Sequence, residues 1–135
     1  MRGKVTPKIQ AEELEIVDLA GNTRIRLSAS DETPSIDLLT AGGSSSASLR
    51  LNGDGRPSLL FNNLTPDGPT AILEIDDKGA HIKFNRETGA STYLFLNNAG
   101  GSGVVIYDAE GQRRLSIVVA PDGKISISPF PFGGD

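Results

Sequence analysis

The sequence predicts an all-β fold: an elongated repeat of about five two-strand units, each close to 23 residues. Three observations carry this. Apolar positions Leu14, Ile36, Leu59, Ile82 and Val105 recur 22, 23, 23 and 23 residues apart, and Leu27, Leu49, Leu73, Leu96 and Val119 recur at 22, 24, 23 and 23. Each unit places a glycine between the two series, at Gly21, Gly43, Gly68, Gly89 and Gly111. From Glu12 onward apolar and polar residues alternate with period two, which marks strands with one buried face.

The elements follow in order. Residues 1–11 read as a basic arm, with Arg2, Lys4, Lys8 and Pro7 and no periodicity; residues 12–128 form the β-repeat domain. A first strand over 13–18 sets Leu14 and Ile16 against Glu15, and Ala20-Gly21-Asn22 turns it into 23–29, where Ile25 and Leu27 oppose Arg24 and Arg26. Strand 35–40 alternates Ile36 and Leu38 with Asp37; Gly42-Gly43 leads to 46–52, with Leu49 and Leu51 against Ser48 and Arg50. Gly53-Asp54-Gly55 precedes 58–63, and Pro66-Asp67-Gly68-Pro69 precedes 70–76, where Leu73 and Ile75 flank Glu74. After Asp76-Asp77-Lys78-Gly79 come strands over 80–85 and 91–97. Asn97-Asn98-Ala99-Gly100-Gly101 then leads to 103–108, with Val105 and Tyr107 on the apolar face. Strand 114–120 and, past Pro121-Asp122-Gly123, strand 124–128 complete the set. These turn residues supply a positive or a preset φ, so the chain reverses without strain. No window supports a helix of two turns or more.

The opposite face is mixed. Charged residues alternate there with Val17, Leu39, Leu60, Ile72, Tyr93, Phe95, Ile106 and Val118, so it does not read as a plain solvent face. A unit with four or five core side chains cannot stand alone. The apolar stripe must close against itself as a β-solenoid, or against other chains as a trimeric β-helix or β-prism. The second apolar set favours several chains, and a homotrimer would also hide sheet edges.

Composition narrows function. Net charge is −4 and the pI near 4.9, which disfavours nucleic acid and anionic membranes. There is no Cys for a disulfide or a thiolate metal site. No apolar run approaches the ~18 residues of a membrane span. The start, Met1-Arg2-Gly3-Lys4-Val5-Thr6-Pro7-Lys8, lacks the apolar stretch of a signal peptide, so an expected place on a cell surface or virion implies another export route or a removed signal.

Leu14-Glu15-Ile16-Val17-Asp18-Leu19-Ala20-Gly21-Asn22-Thr23-Arg24-Ile25-Arg26-Leu27 resembles a bacterial β-repeat of the form apolar-x-apolar-x-Asp-x-x-Gly-x-x-Arg-x-x-Leu, and Tyr107-Asp108-Ala109-Glu110-Gly111-Gln112-Arg113-Arg114-Leu115 resembles it again. Such repeats are similar to those of β-solenoids and of trimeric phage tail-fibre and adhesin-like stalks. The resemblance implies a self-associating structural element, a stalk or fibre with an adhesive role, whose partners are copies of itself, a surface glycan or another fibre component. It carries over no catalytic residue and no cofactor.

Candidate chemistry is sparse, and no enzyme is expected. His81, the one histidine, reads as a partly exposed strand residue. Asn52, Asp54, Asp76, Asp77 and Asp122 could gather oxygens for calcium, but turn chemistry explains them and the EF-hand spacing is absent. Glu15 and Asp37 fall at equivalent positions of adjacent units, yet alternating charge there reads as an outer row. Gly100-Gly101-Ser102-Gly103 reads as a loop, since no helix follows to cradle a phosphate. The alternative function, a carbohydrate-binding or carbohydrate-cleaving module, would need Tyr93, Phe95 and Tyr107 exposed along one groove, and a chain with no Trp and two Tyr argues against it. The tail 129–135 holds Phe130 and Phe132 between prolines and glycines and reads as a cap or docking peptide. Phe130, Phe132, Tyr93 and Phe95 are the candidate assembly residues.

Overall fold

The computed structural model describes residues 3–4, 7–29 and 32–129. They form one antiparallel sheet of eleven strands in simple chain order: β1 (Glu13–Val17), β2 (Thr23–Ser28), β3 (Ser35–Leu39), β4 (Ser45–Leu51), β5 (Pro57–Phe61), β6 (Thr70–Ile75), β7 (Gly79–Asn85), β8 (Ser91–Asn97), β9 (Ser102–Tyr107), β10 (Arg113–Val119) and β11 (Ile125–Pro129). All eleven expected strands are present, with ends within a residue or two. Among the described residues there is no helix, hence none long and apolar enough to cross a membrane. Each strand touches only its neighbours in sequence, and the sheet does not close into a barrel. The repeat unit is thus a hairpin, and successive units lie side by side in one sheet.

The turns explain the regularity. In seven of the hairpins the first loop residue and the one four positions on exchange a backbone hydrogen bond, and a glycine three positions on donates back to the first. Those glycines, Gly21, Gly43, Gly55, Gly89, Gly100, Gly111 and Gly123, all have positive φ, from 76° to 112°. This is a type I turn closed by a left-handed bulge, whose twist suits antiparallel partners. The repeat motif is the same turn with its side chains filled in. Asp18 Oδ1 accepts the N–H groups of Ala20 and Asn22, both at 3.0 Å, while Oδ2 meets Arg24 Nη1 at 3.5 Å. Asp108 does likewise with Glu110 and Gln112, and its Oδ2 bonds Arg114 Nε. One carboxylate oxygen fixes the loop and the other anchors the outgoing strand. The β5–β6 loop departs from the pattern: there Asp67, not the neighbouring Gly68, has the positive φ, 57°.

The strand register builds continuous rows. On one face a central row takes one residue from each strand: Leu14, Leu27, Ile36, Leu49, Leu59, Leu73, Ile82, Leu94, Val104, Ile117 and Ile127. Every member is Leu, Ile or Val. One expectation is corrected here: Val104 and Ile106 join this face, while Val105 and Tyr107 belong to the other. Gly103 stands opposite Phe95 and Val118 on the mixed face. A Cβ on Gly103 would come within 2.4 Å of the Ile117 carbonyl, so this strand approaches its neighbour more closely than side chains allow. The run Val104-Val105-Ile106-Tyr107 has no polar alternation to set its phase, and the count of 23 from Ile82 overshoots by one.

Candidate assembly surface

The apolar face expected to be the core is the exposed one. Nineteen of its large side chains, from Leu14 in β1 to Ile127 in β11, are 36–67% exposed. Only Leu39 and Val105 count as buried apolar residues, both on the mixed face, and no large side chain is fully enclosed among the described residues. The chain exposes 9898 Å². A compact monomer of 14.2 kDa would show about 6,800 Å². The excess, about 3,100 Å², falls in the range that obligate assemblies bury. The nineteen exposed apolar side chains share one face, and contiguous apolar surfaces are where interaction sites are found in general. At the β1 end, Ile9 and Ala11 stand beside Leu14, Leu27 and Ile36 around an open groove of about 570 Å³.

The mixed face pairs its charged groups internally at the β1 end. Its row begins Glu15, Arg26, Asp37, Ser48 on β1 to β4. Glu15 Oε1 accepts from Arg26 Nε at 3.1 Å and Nη2 at 3.0 Å, and Oε2 from the Thr23 hydroxyl. Arg26 first, then Thr23, holds this carboxyl below its ordinary pKa. Asp37, 7% exposed, accepts from Arg50 Nη2 at 3.0 Å and from the Ser35 hydroxyl at 2.8 Å. Glu15 and Asp37 are therefore two strands apart with Arg26 between them, each already paired. They do not flank a groove as glycosidase acids would.

His81 overturns the expectation of partial exposure: it is 8% exposed. It lies directly across β6–β7 from Glu74, with Nε2 and Oε1 at 2.7 Å, and its Nδ1 is 3.8 Å from Asp76 Oδ2. Asp76 Oδ1 meanwhile accepts the N–H groups of Lys78 and Gly79, and these bonds, followed by the nearby His81, keep its carboxyl low. Donor atoms of Glu74, Asp76 and His81 lie within 4.8 Å of one another, so these are the described residues that could hold a cation; the Glu74 bond already satisfies one ring nitrogen. Sequence reasoning missed this cluster, although counting outward from the two-residue turn Asp77-Lys78 would have paired Glu74 with His81.

Tyr93 and Phe95 sit on this same mixed face. Their rings stack at 5.4 Å, and Tyr93 packs on His81 at 5.0 Å. Burial, then the Asp76 and Glu74 charges, raises the Tyr93 phenol. Tyr93, Phe95 and Tyr107 are all half-buried, not an exposed platform. Gly100 and Gly101 form a turn as expected, whereas Ser102 and Gly103 already belong to β9. Phe130 and Phe132 lie outside the described residues. Comparison with protein-family models, with curated proteins and with solved structures gives no match.

Proposed function

We propose that this chain is a structural, self-assembling protein, a stalk or fibre segment in which three copies turn their apolar faces inward. The observation that carries the reading is the uncovered face: nineteen large apolar side chains are exposed on it, while only Leu39 and Val105, on the other face, are buried among the described residues. Burying such a face is the dominant favourable term open to the molecule, and no described segment of the chain covers it. The dimensions suit a three-sided prism. Strands of five to seven residues are about 17–23 Å long. A triangle with sides of that length puts its centre about 5–7 Å from each backbone, close to half the ~10 Å between packed sheets. Eleven strands at a spacing of ~4.8 Å make each side about 48 Å long. Mechanical spacing of whatever its ends carry is then the function, with the charged rows facing water.

Multi-angle light scattering with small-angle X-ray scattering tests this. The expected mass is three times 14.2 kDa, with an elongated profile. A folded monomer would end the proposal.

A further inference from the structure

We infer that the apolar face sets how the copies meet: each strand packs against the same strand of the next copy, small end against large end, around an axis running along the rows. This rests on the self-association proposed above and specifies its geometry. On four successive strands, β6 to β9, this face begins with a small residue and ends four positions later with a bulky one; β10 departs, with Leu115 and Val119 at its two ends. Ala71 and Ile75 do so on β6, Ala80 and Phe84 on β7, Thr92 and Leu96 on β8, and Ser102 and Ile106 on β9. Because neighbours are antiparallel, the small ends alternate between the two rims. One rim reads Ala71, Phe84, Thr92, Ile106; the other reads Ile75, Ala80, Leu96, Ser102. The bulky members stand out, with Ile75 at 51%, Phe84 at 52%, Leu96 at 56% and Ile106 at 37% exposure.

A ring of parallel copies brings the end of each strand against the start of the same strand in the next copy. Phe84 then meets Ala80, Ile75 meets Ala71, Leu96 meets Thr92 and Ile106 meets Ser102. Each of these four levels then receives one large and one small side chain at every corner, so the volume is even along this stretch of the axis. The alternatives fail on packing. Laying a rim against itself through a two-fold at Phe84 sets Phe84 on Phe84 and Ala71 on Thr92, an overlap beside a void, and both are costly in a dense interior. Slipping one copy by a single strand, ~4.8 Å, opposes Phe84 to Ile75 or Leu96, large on large. Self-packing is thus specified in direction and against a slip of one strand. The occupant is a further copy because the pattern is complementary to itself, strand by strand, and the surplus surface matches an obligate interface.

Disulfide trapping of the full chain tests this, since there is no native Cys. Ala80 and Phe84 are four residues apart on one strand, about 13 Å, beyond the ~7 Å reach of a disulfide. Any bond formed in Ala80→Cys/Phe84→Cys therefore joins different chains. On oxidation the double variant should run as a covalent trimer on a denaturing gel, at least ten-fold more abundant than higher bands from either single variant. Thr92→Cys/Leu96→Cys repeats the test one strand away, should the loss of Phe84 weaken assembly. Cross-linking by Phe84→Cys alone, or no cross-linking in either double variant while the wild-type mass is trimeric, overturns the pairing and leaves self-assembly standing. A monomeric wild-type mass overturns both.

Discussion

Ile82→Asp places a carboxylate in the middle of the central row. In a single chain Ile82 is already 36% exposed, so an acid there would reach water at little cost. In a closed assembly it would not. About a third of the 1.5–3 kcal/mol that full burial of an isoleucine supplies is lost, roughly 0.5–1 kcal/mol per chain. Keeping the new acid neutral at pH 7 requires raising its pKa by about three units, a further ~4 kcal/mol. With three chains contributing, the penalty reaches roughly 15 kcal/mol, which lowers the association constant by about ten decades. Light scattering at micromolar concentration should then report single chains, with a lower thermal midpoint by circular dichroism. Lys83→Asp, one residue on and facing the other way, makes a larger charge change and should keep the wild-type mass. If Ile82→Asp retains both mass and midpoint, the apolar face is not an interface.

Three further outcomes follow from local geometry. Glu15, Asp18, Asp76 and Asp108 all have carboxyls held below their ordinary values of 4.5 and 3.8. Their contribution is present above those values and is lost as pH falls through the lowered folded ones, so urea midpoints should be flat above about pH 4.5 and fall below pH 3.8. Asp18→Asn with Asp108→Asn should blunt that fall; an unchanged acid limb would refute the assignment. Gly21→Ala meets open space at φ 86° and should cost about 1–2 kcal/mol, whereas Gly103→Ala drives a Cβ to 2.4 Å from the Ile117 carbonyl and should cost more; equal midpoints would contradict the close β9–β10 approach. Ser48, 2% exposed, has a hydroxyl without a hydrogen-bond partner, so Ser48→Ala should leave stability unchanged or raise it by about 1 kcal/mol, read from the same urea curves.

What the sequence disclosed follows from which physical signals are local. Turn chemistry is local. The Asp-x-x-Gly-x-x-Arg spacing at Asp18 and Asp108 carries its own hydrogen bonds, so strand ends were legible to within a residue or two. Alternation is local as well, and it sorted the faces wherever polar residues marked the phase, as Glu15, Arg26 and Asp37 do. Where they are missing, at Val104 to Tyr107, the phase slipped, because only the cross-strand fit of Gly103 sets it. Burial is not local. That Leu59 or Ile82 must be covered was evident from the apolar pattern; that none of the described residues covers them depends on every hairpin pairing with the next instead of folding over. Pairing side by side satisfies the backbone of the inner strands and extends a single sheet, but it brings no second apolar surface to the first. The hydrogen-bonding that makes this chain regular is therefore what leaves its apolar face open among the described residues, and on the function proposed above the missing core comes from another copy.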